Sequence, residues 1–144
     1  MPAGYSNTPL AKKLGYKPGC RAAVRNGPGG YAQLLAPLPE GVEMLTTRAK
    51  NLDLLHHFVL TEKELTKHLE ADMGRICQDG MLWVSWPKQA SKVETDVTEA
   101  MVRAAGLALG LVDVKKCAVD ETWSGLKFVI RKELRVTGPG RKQL

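Results

Sequence analysis

The chain has 144 residues, 44% of them hydrophobic, a net charge of +6 and a pI near 9.3. That length predicts one domain with a core large enough to need no covalent staples. It excludes a transmembrane helix, because no apolar run approaches about 18 residues. It also argues against a disulfide framework or zinc knuckle, because Cys20, Cys77 and Cys117 are odd in number and far apart.

The opening MPAGYSNTPLAKK lacks the apolar stretch of a signal peptide. With its few, scattered cysteines, the chain is expected in a reducing cytoplasm. Charge is uneven: residues 1–50 carry +5, 51–110 carry −3 and 111–144 carry +4. A basic balance admits nucleic acid or another polyanion as partner. Solvated helix faces with a basic tail account for the same balance.

Thr8, Pro9 and Gly15 predict a short helical arm over 8–15, with Thr8 as N-cap. Lys17-Pro18-Gly19 is a turn. Cys20 to Arg25 follows as a strand whose small Ala22, Ala23 and Val24 suit a crowded central position. Gly27-Pro28-Gly29-Gly30 bends the chain into a short helix, Tyr31 to Ala36, ended by Pro37 and Pro39. Val42 to Thr47 is a second strand and Leu52 to Leu60 a third. The short joint between them fits either an antiparallel hairpin or an extended crossover between parallel strands, although a parallel crossover ordinarily takes a dozen or more residues.

Thr61 and Glu64 form a capping box opening a helix with Leu65, Leu69, Met73 and Ile76 on one face, ended by Asp79-Gly80. Met81 to Trp86 reads as a parallel strand covered on both faces. After a polar loop, Thr95 or Asp96 caps a helix that turns Val97, Met101, Val102 and Ala105 inward and closes at Gly106. Two final strands flank the turn DETWSG, with a β-bulge near Lys115-Lys116 where the inward phase changes. Residues 1–136 are thus expected as a single α/β domain, and 137–144 as a disordered basic tail.

In an α/β sheet of this kind, ligands gather where the parallel strands end. The glycine bend, the Trp86-Pro87-Lys88 corner and the DETWSG turn are expected to share that rim. Backbone N–H groups of the bend would approach an anion closely. The ligand-binding candidates are Asn26, Gly27, Gly29, Gly30, Arg48, Trp86, Lys88, Asp120, Trp123 and Ser124. No residue pattern points to a metal or a catalytic centre. His56 and His57 are adjacent on a strand and face opposite ways. The cysteines read as small buried residues, and Ser124 lacks the strand-to-helix elbow of a hydrolase serine.

The order of elements resembles a shortened class I S-adenosylmethionine methyltransferase fold, a Rossmann-like three-layer sheet ending in an antiparallel hairpin. Leu52-Asp53-Leu54 resembles the start of its fourth strand, and Asp79-Gly80-Met81-Leu82-Trp83-Val84 the entry to its fifth. The phrases TPLAKKLG, KPG, WPK and VDETWSGLKF also resemble a bacterial family of small stand-alone proteins of unknown function. The methyltransferase resemblance implies S-adenosylmethionine as cofactor, and it implies the extended crossover rather than the hairpin between the second and third strands. However, the acidic residue before the glycines is replaced by Arg25-Asn26, and the one closing the second strand by Thr46-Thr47-Arg48. The fold's third strand and its helix are missing.

The function expected first is a non-catalytic binding or regulatory domain, its crevice taking a small anionic ligand or a protein partner. A divergent S-adenosylmethionine-dependent methyltransferase and a nucleic-acid-binding protein are the alternatives.

Overall fold

The computed structural model describes residues 8–135. The elements run α1 (Leu10–Leu14), β1 (Arg21–Arg25), α2 (Tyr31–Leu35), β2 (Glu43–Leu45), β3 (Leu52–Phe58), α3 (Glu62–Met73), β4 (Ile76–Pro87), α4 (Glu99–Ala108), β5 (Leu111–Ala118) and β6 (Trp123–Ile130). The strands form one mixed sheet in the order β2-β1-β3-β4-β6-β5. β2, β1, β3 and β4 are parallel, and β6 runs antiparallel to both β4 and β5.

β1 lies between β2 and β3, so the joint over 46–51 is the extended crossover and no hairpin forms. Leu45 and Ala49 pack on the core that the sheet shares with α3 and α4, which places the crossover on that face. A few residues suffice because β2 is short and the chain needs to descend only about three residues of rise, near 3.3 Å each.

The two faces carry separate cores. Leu55, Leu82, Trp86, Leu126 and Phe128 meet Leu65, Leu69 and Val102 on the α3–α4 face. Leu54, Phe58 and Trp83 meet Leu14, Tyr16, Tyr31 and Leu35 on the α1–α2 face. His56 and His57 point to opposite faces, as strand alternation requires.

Several element ends differ from the sequence expectation. Pro9, with extended backbone, stands at the N-cap of α1, and no side chain caps that helix. α3 stops at Met73. Ile76, although spaced to fit the helical stripe, already pairs with Leu52 in the sheet. Asp79-Gly80 therefore lies inside β4, in an irregular stretch where residues 77–80 oppose Asp53 alone.

The cap of α4 is Thr98, whose Oγ1 accepts from the Met101 N–H at 3.2 Å. Thr95 donates instead to the Leu60 carbonyl at 2.6 Å, and Asp96 accepts from the Glu62 N–H at 2.8 Å. Both expected caps of α4 thus tie down the start of α3. The bulge in β5 falls between Asp113 and Lys115, leaving Val114 exposed. The expected basic tail over 137–144 lies outside the described residues.

α4 continues through Gly106 to Ala108. A Cβ on Gly106 would stand 2.3 Å from Phe128 Cε1, so the absent side chain lets α4 settle onto β6. Gly106→Ala should therefore lower stability by about 1–3 kcal/mol through overpacking. Urea unfolding would show this as a lower midpoint at an unchanged slope.

Candidate functional site

β1, β3 and β4 end together at one edge of the sheet, and β6 begins there because Pro87 pairs with Trp123. The glycine bend after β1, the Trp86-Pro87-Lys88 corner and the 120–124 turn all sit on this carboxyl rim. The last two are joined directly. The Lys88 N–H donates to the Thr122 carbonyl at 2.8 Å, and Lys88 Nζ donates to the Asp120 carbonyl at 2.7 Å.

The glycine bend is built from backbone that few residues adopt. Asn26 has φ 57° and Gly30 has φ 87°. The bend turns α2 back onto the sheet, and Tyr31, its first residue, is buried. From the bend the rim continues as a run of rings. Tyr31 meets Phe58 edge-on at 5.4 Å, and Phe58 meets Trp123 edge-on at 5.0 Å.

Trp123 and Trp86 do not form one aromatic wall. Trp86 is buried against α3 and α4, whereas Trp123 is half-buried on the α1–α2 face. Asp120 folds its carboxylate onto its own turn, accepting from the Thr122 and Trp123 N–H groups at 2.8 Å each. Its role there is to shape the turn. Arg48 lies away from the rim. Its carbonyl accepts from Arg75, which stands beside Leu52 at the amino edge of the sheet.

On the α4 side the rim opens into a cleft of about 510 Å³, lined by Trp86, Lys88, Thr95, Thr98, Lys116 and Ser124 among others. The N-terminus of α4 enters it at Thr98 and Glu99. The acids nearby are already engaged. Asp96 accepts from the α3 backbone, and Glu99 pairs with Arg103 and Lys116. Those cations hold the Glu99 carboxyl below its ordinary range, Lys116 acting most. Lys88 retains N–H groups beyond the one given to Asp120. A smaller hollow of about 370 Å³, lined by Cys20, Asp53 and Asp79 among others, opens elsewhere, around the turn before β1.

Two buried polar groupings beneath the rim carry no sequence signature beyond the adjacent histidines. On the α1–α2 face, Tyr16 Oη meets Tyr31 Oη at 2.9 Å, Tyr31 Oη meets His56 Nδ1 at 2.8 Å, and His56 Nε2 meets Ser85 Oγ at 2.7 Å. The imidazole carries its hydrogen on one nitrogen, so the series runs in either polarity. Burial drives His56 down to about 3, with His57 adding to the effect, and pushes Tyr16 up to about 12. Burial also raises Tyr31. All members are therefore neutral near pH 7. Ser85 and His56 are fully buried, so this Ser–His pair fastens strands and meets no solvent-borne substrate.

On the other face Asp72, fully buried, accepts from Arg25 Nε at 3.1 and 3.2 Å and lies 3.3 Å from His57 Nδ1. The contact with His57 lacks hydrogen-bond geometry. Arg25, at the end of β1, is thereby directed into the protein and away from the rim. Burial brings His57 to about 4; Asp72 opposes the shift, and Arg25 and His68 add to it.

No family model matches the chain, and no curated protein matches it. Solved structures do. A possible exported protein from Bordetella parapertussis superposes with TM-score 0.60 at 14% identity, over 85% of this chain and 66% of that one. A magnesium protoporphyrin IX methyltransferase from Synechocystis, with bound S-adenosylhomocysteine, gives 0.56 at 11% identity, over 84% and 78%. A methyltransferase dependent on S-adenosylmethionine from Aquifex aeolicus gives 0.55 at 12% identity, over 84% and 88%. The chain thus has a class I methyltransferase-like fold, and at these identities the likeness concerns the fold alone. Among the described residues no helix is long and apolar enough to cross a membrane.

Tyr31→Phe removes the hydroxyl that both Tyr16 and His56 use. It should cost about 1–3 kcal/mol, the penalty of stranding buried polar atoms. Thermal unfolding followed by circular dichroism would measure it. The two histidines also set a pH dependence. Both are held below the unfolded value of about 6.5, so the unfolded chain takes up protons first as pH falls. Their contribution to stability is complete above about pH 6.5 and declines down to about pH 3–4. Urea midpoints across that window should fall steadily with acidification, and His57→Gln should flatten the slope.

Proposed function

We propose that this protein is a ligand-binding domain on a methyltransferase scaffold, taking a small anion in the carboxyl-rim cleft and transferring no methyl group. The observation that carries this reading is the charge arrangement of that cleft. Lys88 is held at its edge and the N-terminus of a ten-residue helix opens into it, while Glu99 is paired with Lys116 and Arg103 and Asp96 turns one carboxylate oxygen to the backbone N–H of Glu62. A helix N-terminus and a lysine together favour a phosphate or carboxylate.

The residues at the other end of the rim fit an S-adenosyl cofactor poorly. The ribose hydroxyls of such a group call for an acceptor closing β2. Here β2 ends at Leu45 and is followed by Thr46, Thr47 and Arg48, while its own Glu43 lies beside Arg21. Arg25 occupies the position of the first acid and is committed to Asp72. No transfer step follows from these residues.

A divergent S-adenosylmethionine-dependent methyltransferase is the second reading. It is supported by the solved methyltransferases that share the fold, one with bound S-adenosylhomocysteine and one named as dependent on S-adenosylmethionine. Calorimetry separates the two. Inorganic phosphate or a nucleoside monophosphate should bind the full chain, and Lys88→Ala should weaken that binding at least tenfold. At a hundredfold excess over its Kd, the anion should stabilise the fold by about 2.7 kcal/mol. Heat released by S-adenosylmethionine, with none from the anions, would establish the second reading instead.

A further inference from the structure

The opposite face of the C-terminal hairpin carries a cluster of like charge that nothing in the rim cleft uses. Trp83, Lys127 and Lys115 form one row across β4, β6 and β5, with Lys115 and Lys127 directly opposite each other. Paired residues share a sheet face, and Trp83 donates from Nε1 to the Leu14 carbonyl at 2.7 Å. The row therefore faces α1. Lys115 Nζ donates to the Lys13 carbonyl at 3.1 Å, which brings the end of α1 over the hairpin. Lys17 follows in the turn after α1. Cys117 lies two residues beyond Lys115 on the same strand face.

Like charges directly opposite on neighbouring strands destabilise a sheet. Lys115 is explained in part, since it satisfies a carbonyl at the C-terminal end of α1. Lys127 and Lys17 have no such account: neither makes a side-chain hydrogen bond or ion pair among the described residues. Burial holds the Lys127 ammonium below its ordinary range, and Lys115 and Lys17 lower it further, as expected of a cation crowded by cations. The Cys117 thiol beside them is raised by burial, against the pull of Lys13 and Lys115.

We propose that Lys13, Lys17, Lys115 and Lys127 form a docking surface for the phosphate backbone of a nucleic acid. A polyanion relieves the repulsion between Lys115 and Lys127, which no acidic side chain among the described residues pairs with. A lipid surface fits less well, because membrane binding needs apolar side chains set among the cations. Of the large exposed hydrophobic residues, only Val114, at the bulge, is on this hairpin. This surface lies across the sheet from the Trp86 cleft, so it stands or falls apart from the small-anion reading.

The test is fluorescence anisotropy of a labelled 20-nucleotide single strand titrated with the full chain at several salt concentrations. Neutralising four phosphates predicts a slope of log K against log salt of about −2.8, hence roughly 50-fold weaker binding at 200 mM than at 50 mM. The paired substitution Lys115→Gln with Lys127→Gln should halve that slope. A control pair on α3, Lys63→Gln with Lys67→Gln, should leave it unchanged. Because the substitution relieves repulsion, the melting temperature of the Lys127→Gln single variant should hold or rise, which separates loss of binding from loss of fold. No binding at 50 mM salt overturns the proposal. So does an unaltered slope in the hairpin variant, or capture by anionic phospholipid vesicles without capture of the oligonucleotide.

Discussion

The rim depends on the buried hydrogen bonds that run from Tyr16 through Tyr31 and His56 to Ser85. They join the exit of α1, the entry of α2 and the ends of β3 and β4, four points far apart in sequence. Each member would be costly to bury alone. Joined, they hold the first turn of α2 against the sheet, and with it the glycine bend. The ring contacts of Phe58 with Tyr31 and Trp123 extend the same fastening to the hairpin turn. Asp72 performs the matching task on the other face by holding Arg25. The last side chain of β1 is thereby turned away from the rim.

Shortening of the sheet has a chemical consequence as well as a topological one. The crossover from β2 to β3 is only residues 46–51, packed flat on the α3–α4 face through Leu45 and Ala49. It brings no further strand or helix, and it leaves the end of β2 without a carboxylate. β2 is followed by Thr46, Thr47 and Arg48 with no acid, while the α4 end of the rim has a cleft with a lysine and a helix terminus.

The C-terminal hairpin divides its lysines between the two faces. Lys116 is neutralised by Glu99 of α4, whereas Lys115 and Lys127 meet each other. Adjacent strand residues face opposite ways, and the bulge between Asp113 and Lys115 decides which of Lys115 and Lys116 takes which face. Without the inserted residue, the strict alternation of strand side chains would send each lysine to the other face.

Local chemistry was enough to read the capping box at Thr61 and Glu64, the left-handed Gly15, the bend before Tyr31 and the alternation of β6, because each depends on residues close in sequence. The direction of β2 was not legible in this way: the short joint over 46–51 suits a hairpin as well, only the resemblance to a known fold favoured the crossover, and the pairing of β1 with both β2 and β3 decided it. Only tertiary packing decided that Ile76 belongs to a strand, since its spacing suits a helix and its partner Leu52 lies more than twenty residues away. The same holds for Asp96, which caps the neighbouring helix, for Arg48, which the crossover carries to the amino edge, and for the tyrosine–histidine–serine series. Hydrogen bonds between distant residues leave no periodicity in a sequence; they exist only once the sheet brings the partners within three ångströms of each other.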